Sequence, residues 1–253
     1  IMKRTSIQQN CYINAQGGGD IARYYLSLGY QDEGAAYRQE DNLFKKPLSY
    51  KKITYRANID MNLTKTTKVY FGLDGYISNY TSPGGQNTNT VWSAVRQLTP
   101  LMFPKTYSDG TFPSYGKHDL ASPYVMLNNT GYTQDETQRN MLTLKLEQEF
   151  GGFLKGMTAV QAMSENINYF NEGRYIWPDL YRATGRSSQG VLIKTLRTAK
   201  ENMKYTQNNN RYRKYYMEAK ANWDRTFGLH SLGALALYYM EDVHNTQWDY
   251  DAM

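Results

Sequence analysis

Apolar and polar residues alternate with period two along most of the chain, the pattern of strands with one apolar and one polar face. Over 23–31, Tyr24, Leu26, Leu28 and Tyr30 share one face, and Arg23, Ser27, Gly29 and Gln31 share the other. The contrast sharpens over 52–63, where Ile53, Tyr55, Ala57, Ile59, Met61 and Leu63 oppose Lys52, Thr54, Arg56, Asn58, Asp60 and Asn62. That run of about 12 residues is twice the usual strand length of a globular protein. Segments 69–78, 142–149 and 215–224 repeat the pattern; 10–16, 153–168 and 230–243 read as strands with shorter or blurred alternation. Tight turns at 17–20, 64–66, 151–152 and 227–229 group these segments into about eight strands in four hairpins. Long connections at 35–48, 81–135 and 169–211 separate the hairpins, so every long loop leaves the same edge of the sheet. The strand-like stretches within 191–207 are read as structure inside the last of these loops. The second loop is expected to hold one short helix. Asn89 or Thr90 would cap it, Val91, Trp92, Val95 and Leu98 would form its apolar stripe, and Pro100 would stop it.

Alternation alone fits a soluble β-sandwich as well as a membrane barrel. Strand length, the one-sided loops and an excess of tyrosine (24 Tyr against 8 Phe) favour the barrel. Tyrosine suits positions where one end is apolar and the other wet. In lipid, backbone groups must pair internally, so only helices and closed barrels span, and a strand tilted about 45° crosses in roughly 9–11 residues. The expected fold is therefore all-β: an antiparallel transmembrane β-barrel segment with short periplasmic turns and long extracellular loops. Arg56, Asp60, Lys145, Glu147, Glu218 and Lys220 fall mid-strand on the polar face and would point into the lumen, where cross-strand pairing is their simplest role. Phe150, Phe153, Trp223 and Phe227, close to the tight turns, would form an interfacial girdle.

Composition narrows the chemistry. The 253 residues contain no apolar run of the roughly 18 needed for a transmembrane helix. The single cysteine, Cys11, rules out a disulfide scaffold. A net charge of +6 is spread singly, densest at Arg211, Arg213 and Lys214, and forms no nucleic-acid-binding patch. His118, His230 and His244 lack metal-ligand spacing. Ser231 beside His230 makes no oriented triad, and Gly17-Gly18-Gly19 is a hairpin turn with no helix after it. No catalytic residue, metal or cofactor is expected, and the chain reads as a non-enzyme. Both ends look arbitrary, as for an internal piece of a longer protein. Two rivals stand beside the barrel: a soluble β-rich carbohydrate-binding or adhesion module, and a glycosidase. The second needs two convergent carboxylates, and no spacing here singles out a pair.

Specific motifs add a resemblance. The run Gly17-Gly18-Gly19-Asp20 through Tyr24-Tyr25-Leu26-Ser27-Leu28-Gly29-Tyr30 to Gly34 resembles a hairpin of the SusC/RagA family of TonB-dependent outer-membrane transporters of Bacteroidetes. Tyr55-Arg56-Ala57-Asn58-Ile59-Asp60 is similar to a strand of that family, and Thr226-Phe227-Gly228-Leu229-His230-Ser231-Leu232 to one of its turns. The loop run from Leu101 to Phe112, with Pro104 and Asp109-Gly110-Thr111, resembles one of its loops. The likeness extends over nearly the whole chain. It implies a barrel of about 22 strands around a plug, of which residues 1–253 are one part with neither plug nor TonB box. It also implies a SusD-like surface lipoprotein closing the extracellular side and an oligosaccharide or peptide ligand held beneath it. Energy would come from TonB–ExbB–ExbD through the plug absent from this chain, with outer-membrane lipid around the barrel. The implied function is nutrient import by gated motion, without covalent chemistry.

Within the longest loop, Trp92, Tyr107, Phe112, Tyr115 and Tyr124 are the candidate ligand- or partner-facing aromatics. They would stack on sugar rings, contact a capping protein, or fold the loop onto itself. Asp109-Gly110 reads as a turn.

Overall fold

The computed structural model describes residues 1–40, 44, 46–84, 88–99, 101–116, 118, 120–152 and 155–252. Pro100 and Phe153, and the roles expected of them, lie outside the described residues. In chain order the elements are β1 (Gln8–Gly18), β2 (Ala22–Gly34), β3 (Ser49–Asn62), β4 (Thr67–Pro83), α1 (Thr88–Gln97), β5 (Phe112–Tyr115), β6 (Leu120–Ala121), α2 (Pro123–Asn128), β7 (Gly131–Phe150), β8 (Gly156–Trp177), β9 (Leu180–Arg186), β10 (Leu192–Thr198), β11 (Glu201–Phe227) and β12 (His230–Ala252). Eight strands form one antiparallel sheet in the order β1-β2-β3-β4-β7-β8-β11-β12, each strand beside its neighbour in the chain. Its four hairpins are β1–β2, β3–β4, β7–β8 and β11–β12. The sheet does not close: β1 and β12 each keep one edge without a partner strand.

The register aligns the apolar positions across all eight strands. One row runs Gly17, Tyr24, Ile59, Phe71, Leu144, Ala162, Met217, Met240. A one-residue slip in any pair would move a whole strand's apolar set to the polar face, so this alignment specifies the register. Among the described residues no second layer covers the apolar face. Leu144, in the middle of β7, keeps 50% of its surface accessible, and Leu142 and Leu146 beside it are similarly open. The buried hydrophobic cluster lies elsewhere, among the long loops (Val91, Tyr115, Val125, Leu127, Leu180). Gly75 marks a close approach within the apolar face. A Cβ there would sit 2.2 Å from the Arg139 carbonyl oxygen, and the Tyr55 ring crosses over it to donate a hydrogen bond to Asn140.

The strands run further than the alternation indicates. β11 has 27 residues, about 90 Å at the usual rise, and its outward apolar positions occupy only the half from Tyr215 to Phe227. The other half is mostly polar on both faces: Asn208, Asn209 and Asn210 pair with Asp249, Trp248 and Gln247 on one side and with Asn171, Phe170 and Tyr169 on the other. Ladder hydrogen bonds do not require apolar side chains, so a strand continues where its periodicity fades. The long connections are correspondingly shorter than expected. β4 reaches Pro83 and β7 starts at Gly131, so the second is 84–130 rather than 81–135; the third is 178–200 rather than 169–211. Segment 201–207 belongs to β11, while β10 is structure inside the third loop. The first connection keeps its expected bounds, 35–48. α1 begins at Thr88, which places Asn89 and Thr90 inside the first turn instead of at a cap.

Candidate functional site

Two regions bring chemistry-bearing side chains together: the polar face of the large sheet and the cap built by the long loops. On the polar face, register places Asp60, Tyr70, Lys145, Gln161 and Glu218 in one row, with Lys68, Glu147 and Lys220 in the next. Lys145 and Glu147 form an ion pair along β7. With Asp60, Arg23 and Lys68 they line a cavity of about 360 Å³ near the tight-turn end. Glu218 accepts a hydrogen bond from the Tyr216 hydroxyl, and Lys220 lies two residues further along the same strand, opposite Ala159 on β8. Arg56 stands apart, opposite Asp74 on β4. All six charges expected on this face are on it. The periodicity reading missed Arg139–Glu165 (2.6 Å) and Lys214–Glu241 (3.0 Å), which bridge neighbouring strands on the same face. The same parity, carried on through the polar stretches of β7, β8 and β11, would have found them.

The cap is a packed body at the long-loop end. Its second sheet, β10-β9-β5-β6, joins two loops through parallel pairing of Phe112 with Leu180. Connection 35–48 is tied in by polar contacts: Gln39 donates to the Leu127 carbonyl (3.2 Å) and accepts from the Leu48 N–H (2.8 Å), while Asn128 Oδ1 accepts from the Glu40 N–H (2.8 Å). α2 starts where Pro123 follows Ser122. Pro supplies a helical φ at no cost in hydrogen bonds, and the Ser122 Oγ accepts from the Val125 N–H (3.3 Å).

Of the five candidate aromatics, four are built into this body. Tyr115 is buried and stacks on Phe103, with ring centroids 5.3 Å apart. Phe112 packs against the same core. The Tyr107 hydroxyl donates to the Tyr181 carbonyl (3.3 Å) and accepts from the Ala183 N–H (3.1 Å). Tyr124 has Lys105 Nζ 4.2 Å from its ring centroid, and its hydroxyl donates to Glu40 (3.4 Å). Trp92 differs. α1 buries Val91 and Ala94 and packs Val95 against the core, with Leu98 just past its end packed there too, which turns Trp92 outward at 45% exposure. Trp92 is therefore not part of the helix's buried stripe.

A cleft of about 500 Å³ opens beside Tyr124, with Leu98 and Phe103 as apolar wall and Arg38, Glu40 and Lys105 as charged rim. The Lys105 ammonium, ion-paired to Glu40, holds that carboxyl below the usual range, and Glu40 in turn raises Lys105. Asp109 closes a turn by accepting from the Thr111 N–H (3.2 Å) and hydroxyl (2.7 Å). Lys194, ion-paired to Asp109, is the main reason its carboxyl is pushed well below the ordinary value. Lys194 also sits between the rings of Tyr107 and Tyr181 (5.6 and 5.0 Å to centroids), so this cluster pins the β9–β10 hairpin to the second loop.

No family model and no curated protein matches this sequence. No helix among the described residues is long and apolar enough to cross a membrane. His118 lies in the second long loop, and His230 and His244 lie well apart along β12.

Proposed function

We propose that the chain is part of an outer-membrane β-barrel transporter of the SusC/RagA type, which imports an oligosaccharide or peptide together with a SusD-like lipoprotein. The observation that carries this reading is the uncovered apolar face, in register across eight long strands, opposite a face of paired charges. Soluble monomers rarely expose contiguous apolar patches beyond a few hundred Å²; here it runs the full width of the sheet. Lipid is the solvent such a face suits. Two sheet edges without partners would leave backbone groups unpaired in lipid, which supports further strands and a larger closed barrel. In this reading the polar face lines the lumen, the hairpin turns are periplasmic, and the packed loops form the extracellular roof of this sector. The cap cleft and Trp92 are where a ligand or the SusD-like partner would meet the barrel, and TonB–ExbB–ExbD would act through a plug supplied from outside residues 1–253. Import requires gating and binding, with no catalytic residue.

The test is fractionation of the full-length protein in a Bacteroidetes host, followed by uptake of labelled oligosaccharides and peptides in a deletion strain. Recovery in the detergent-extracted outer membrane, with loss of uptake of one oligomer class on deletion, is the expected result. A protein recovered in the soluble fraction without detergent would instead be the carbohydrate-binding or adhesion module. Release of shorter products from the same oligomers by the purified protein would make it a glycosidase.

A further inference from the structure

The outward face of β11 changes character abruptly. Apolar and aromatic side chains occupy it from Trp223 up to Tyr215, between Arg225 on the tight-turn side and Arg213 and Arg211 on the long-loop side. On β12 the residues opposite are His244 and Thr246, followed by Trp248 opposite Asn209. Together with Tyr215 these residues line an open cavity of about 540 Å³. Its placement on the apolar side follows from register: Arg213 shares a face with Met217, and Asn166 on β8 shares that face with Ala162. From Arg225 to Arg213, which bracket the apolar stretch, is about 40 Å along the strand, or a height of about 28 Å at a tilt of about 45°. That height matches the apolar thickness of a bilayer. Arg213 and Arg211 therefore stand at headgroup level on the long-loop side.

We propose that this patch is a binding site for a phosphate-bearing lipid of the leaflet on the long-loop side. The inference rests on the membrane reading above and adds a ligand to the barrel's outer wall. Two guanidinium groups two residues apart on one strand face lie about 7 Å from each other, close enough to share one phosphorylated headgroup, and Arg presents paired donors matched to phosphate oxygens. The Arg211 Nε donates to Asn168 Oδ1 (3.1 Å), which orients that side chain along the wall. Among the described residues neither arginine is in an ion pair; the outward carboxylate nearest to them in register, Asp242, is engaged by His244 (2.9 Å). Trp248 supplies the amphipathic ring that favours this depth. Below the arginines, Met217, Met240 and Tyr238 continue as an exposed apolar track for acyl chains. A soluble anion would use only the upper half of the site, and that asymmetry selects a lipid.

The experiment uses full-length protein purified in a neutral detergent, delipidated, and examined by native mass spectrometry with phosphatidylglycerol, phosphatidylcholine or inorganic phosphate. Wild type should retain phosphatidylglycerol over phosphatidylcholine. R211Q/R213Q should lose about tenfold of that retention, as each basic residue at a membrane surface contributes a severalfold preference for anionic lipid. R211K/R213K, which keeps the charge, should retain most of it, and heat-modifiable electrophoretic mobility checks that all variants are folded. Equal retention of the two lipids by wild type, or equal phosphatidylglycerol retention by wild type and R211Q/R213Q, overturns the site. Displacement of phosphatidylglycerol by equimolar phosphate would make it a soluble-anion site and also overturn it. Insertion of wild type into bilayers is scored separately. Insertion without lipid preference sinks the site alone, and failure to insert sinks the membrane reading together with it.

Discussion

Single residues in the cap show how little of a loop's purpose lies in its composition. Tyr107, Phe112, Tyr115 and Tyr124 read in the sequence either as a binding surface, because aromatics in long loops often recognise ligands, or as rings that fold the loop onto itself. In the structure they hold loops to one another, and the reason is local: a loop body needs its own core, and large rings fill one with few residues. Ser122 tests the polar side of that core. Replacing it with Ala removes the cap of α2 and leaves a buried N–H without its acceptor, so S122A should cost about 1–2 kcal/mol, read by thermal unfolding of the cap in detergent. The Asp109–Lys194 pair gives a pH signature. Asp109 is held below its ordinary value chiefly by Lys194, so its contribution is complete above the unfolded carboxylate value of about 4 and is lost as pH falls through the lower folded value. Protection factors of the β9–β10 hairpin amides, corrected for the intrinsic pH dependence of exchange, should be flat from neutral pH down to that range and fall only below it. In D109N the acid-dependent part should be absent. Half-exposure of the Asp109 side chain keeps the effect small.

At the scale of elements, alternation identifies a strand's apolar stretch and says little about its length. Hairpins β1–β2, β3–β4, β7–β8 and β11–β12 were all legible, because each contains several contrasting residues on either side of a tight turn. The extra turns of ladder in β7, β8 and β11 were not. In β7 and β11 these stretches are mostly polar on both faces, in β8 polar residues mix with aromatics from Tyr169 to Trp177 without clean alternation, and only pairing with a neighbouring strand makes them strands. The two faces of one strand make opposite predictions. Leu144→Arg puts a charge at the centre of the apolar face and should cost about 2–4 kcal/mol in a bilayer. Thr143→Arg, one residue away on the polar face, should cost well under half as much. Urea unfolding of both variants in lipid vesicles measures the difference. In a water-exposed sheet L144R would be neutral or would improve solubility, and that outcome would remove the membrane reading.

For the whole molecule, the decisive arrangement is that all long loops gather at one end and all tight turns at the other. Leu101 in the cap and Leu229 in the last hairpin turn are both almost fully exposed, at 96% and 100%. They are ends of one axis. In a Cys11→Ser background of the full-length protein, Leu101→Cys should react with a membrane-impermeant maleimide on intact cells, and Leu229→Cys only after the outer membrane is permeabilised. Equal labelling of both on intact cells would contradict the proposed orientation.

Periodicity by itself determined that this chain is β-rich, how its hairpins pair, and which side chains share each face. These are local consequences of a two-residue repeat between turns. The six strand charges fell on the expected face for the same reason. Only tertiary structure decided that the sheet stays open, that three loops fuse into one packed cap, and that Trp92 faces outward while the other four loop aromatics are tied into that cap. Those outcomes depend on contacts between segments far apart in the chain, such as Gln39 with Leu127 or Phe112 with Leu180, and no short-range pattern encodes which distant partner a loop residue will meet.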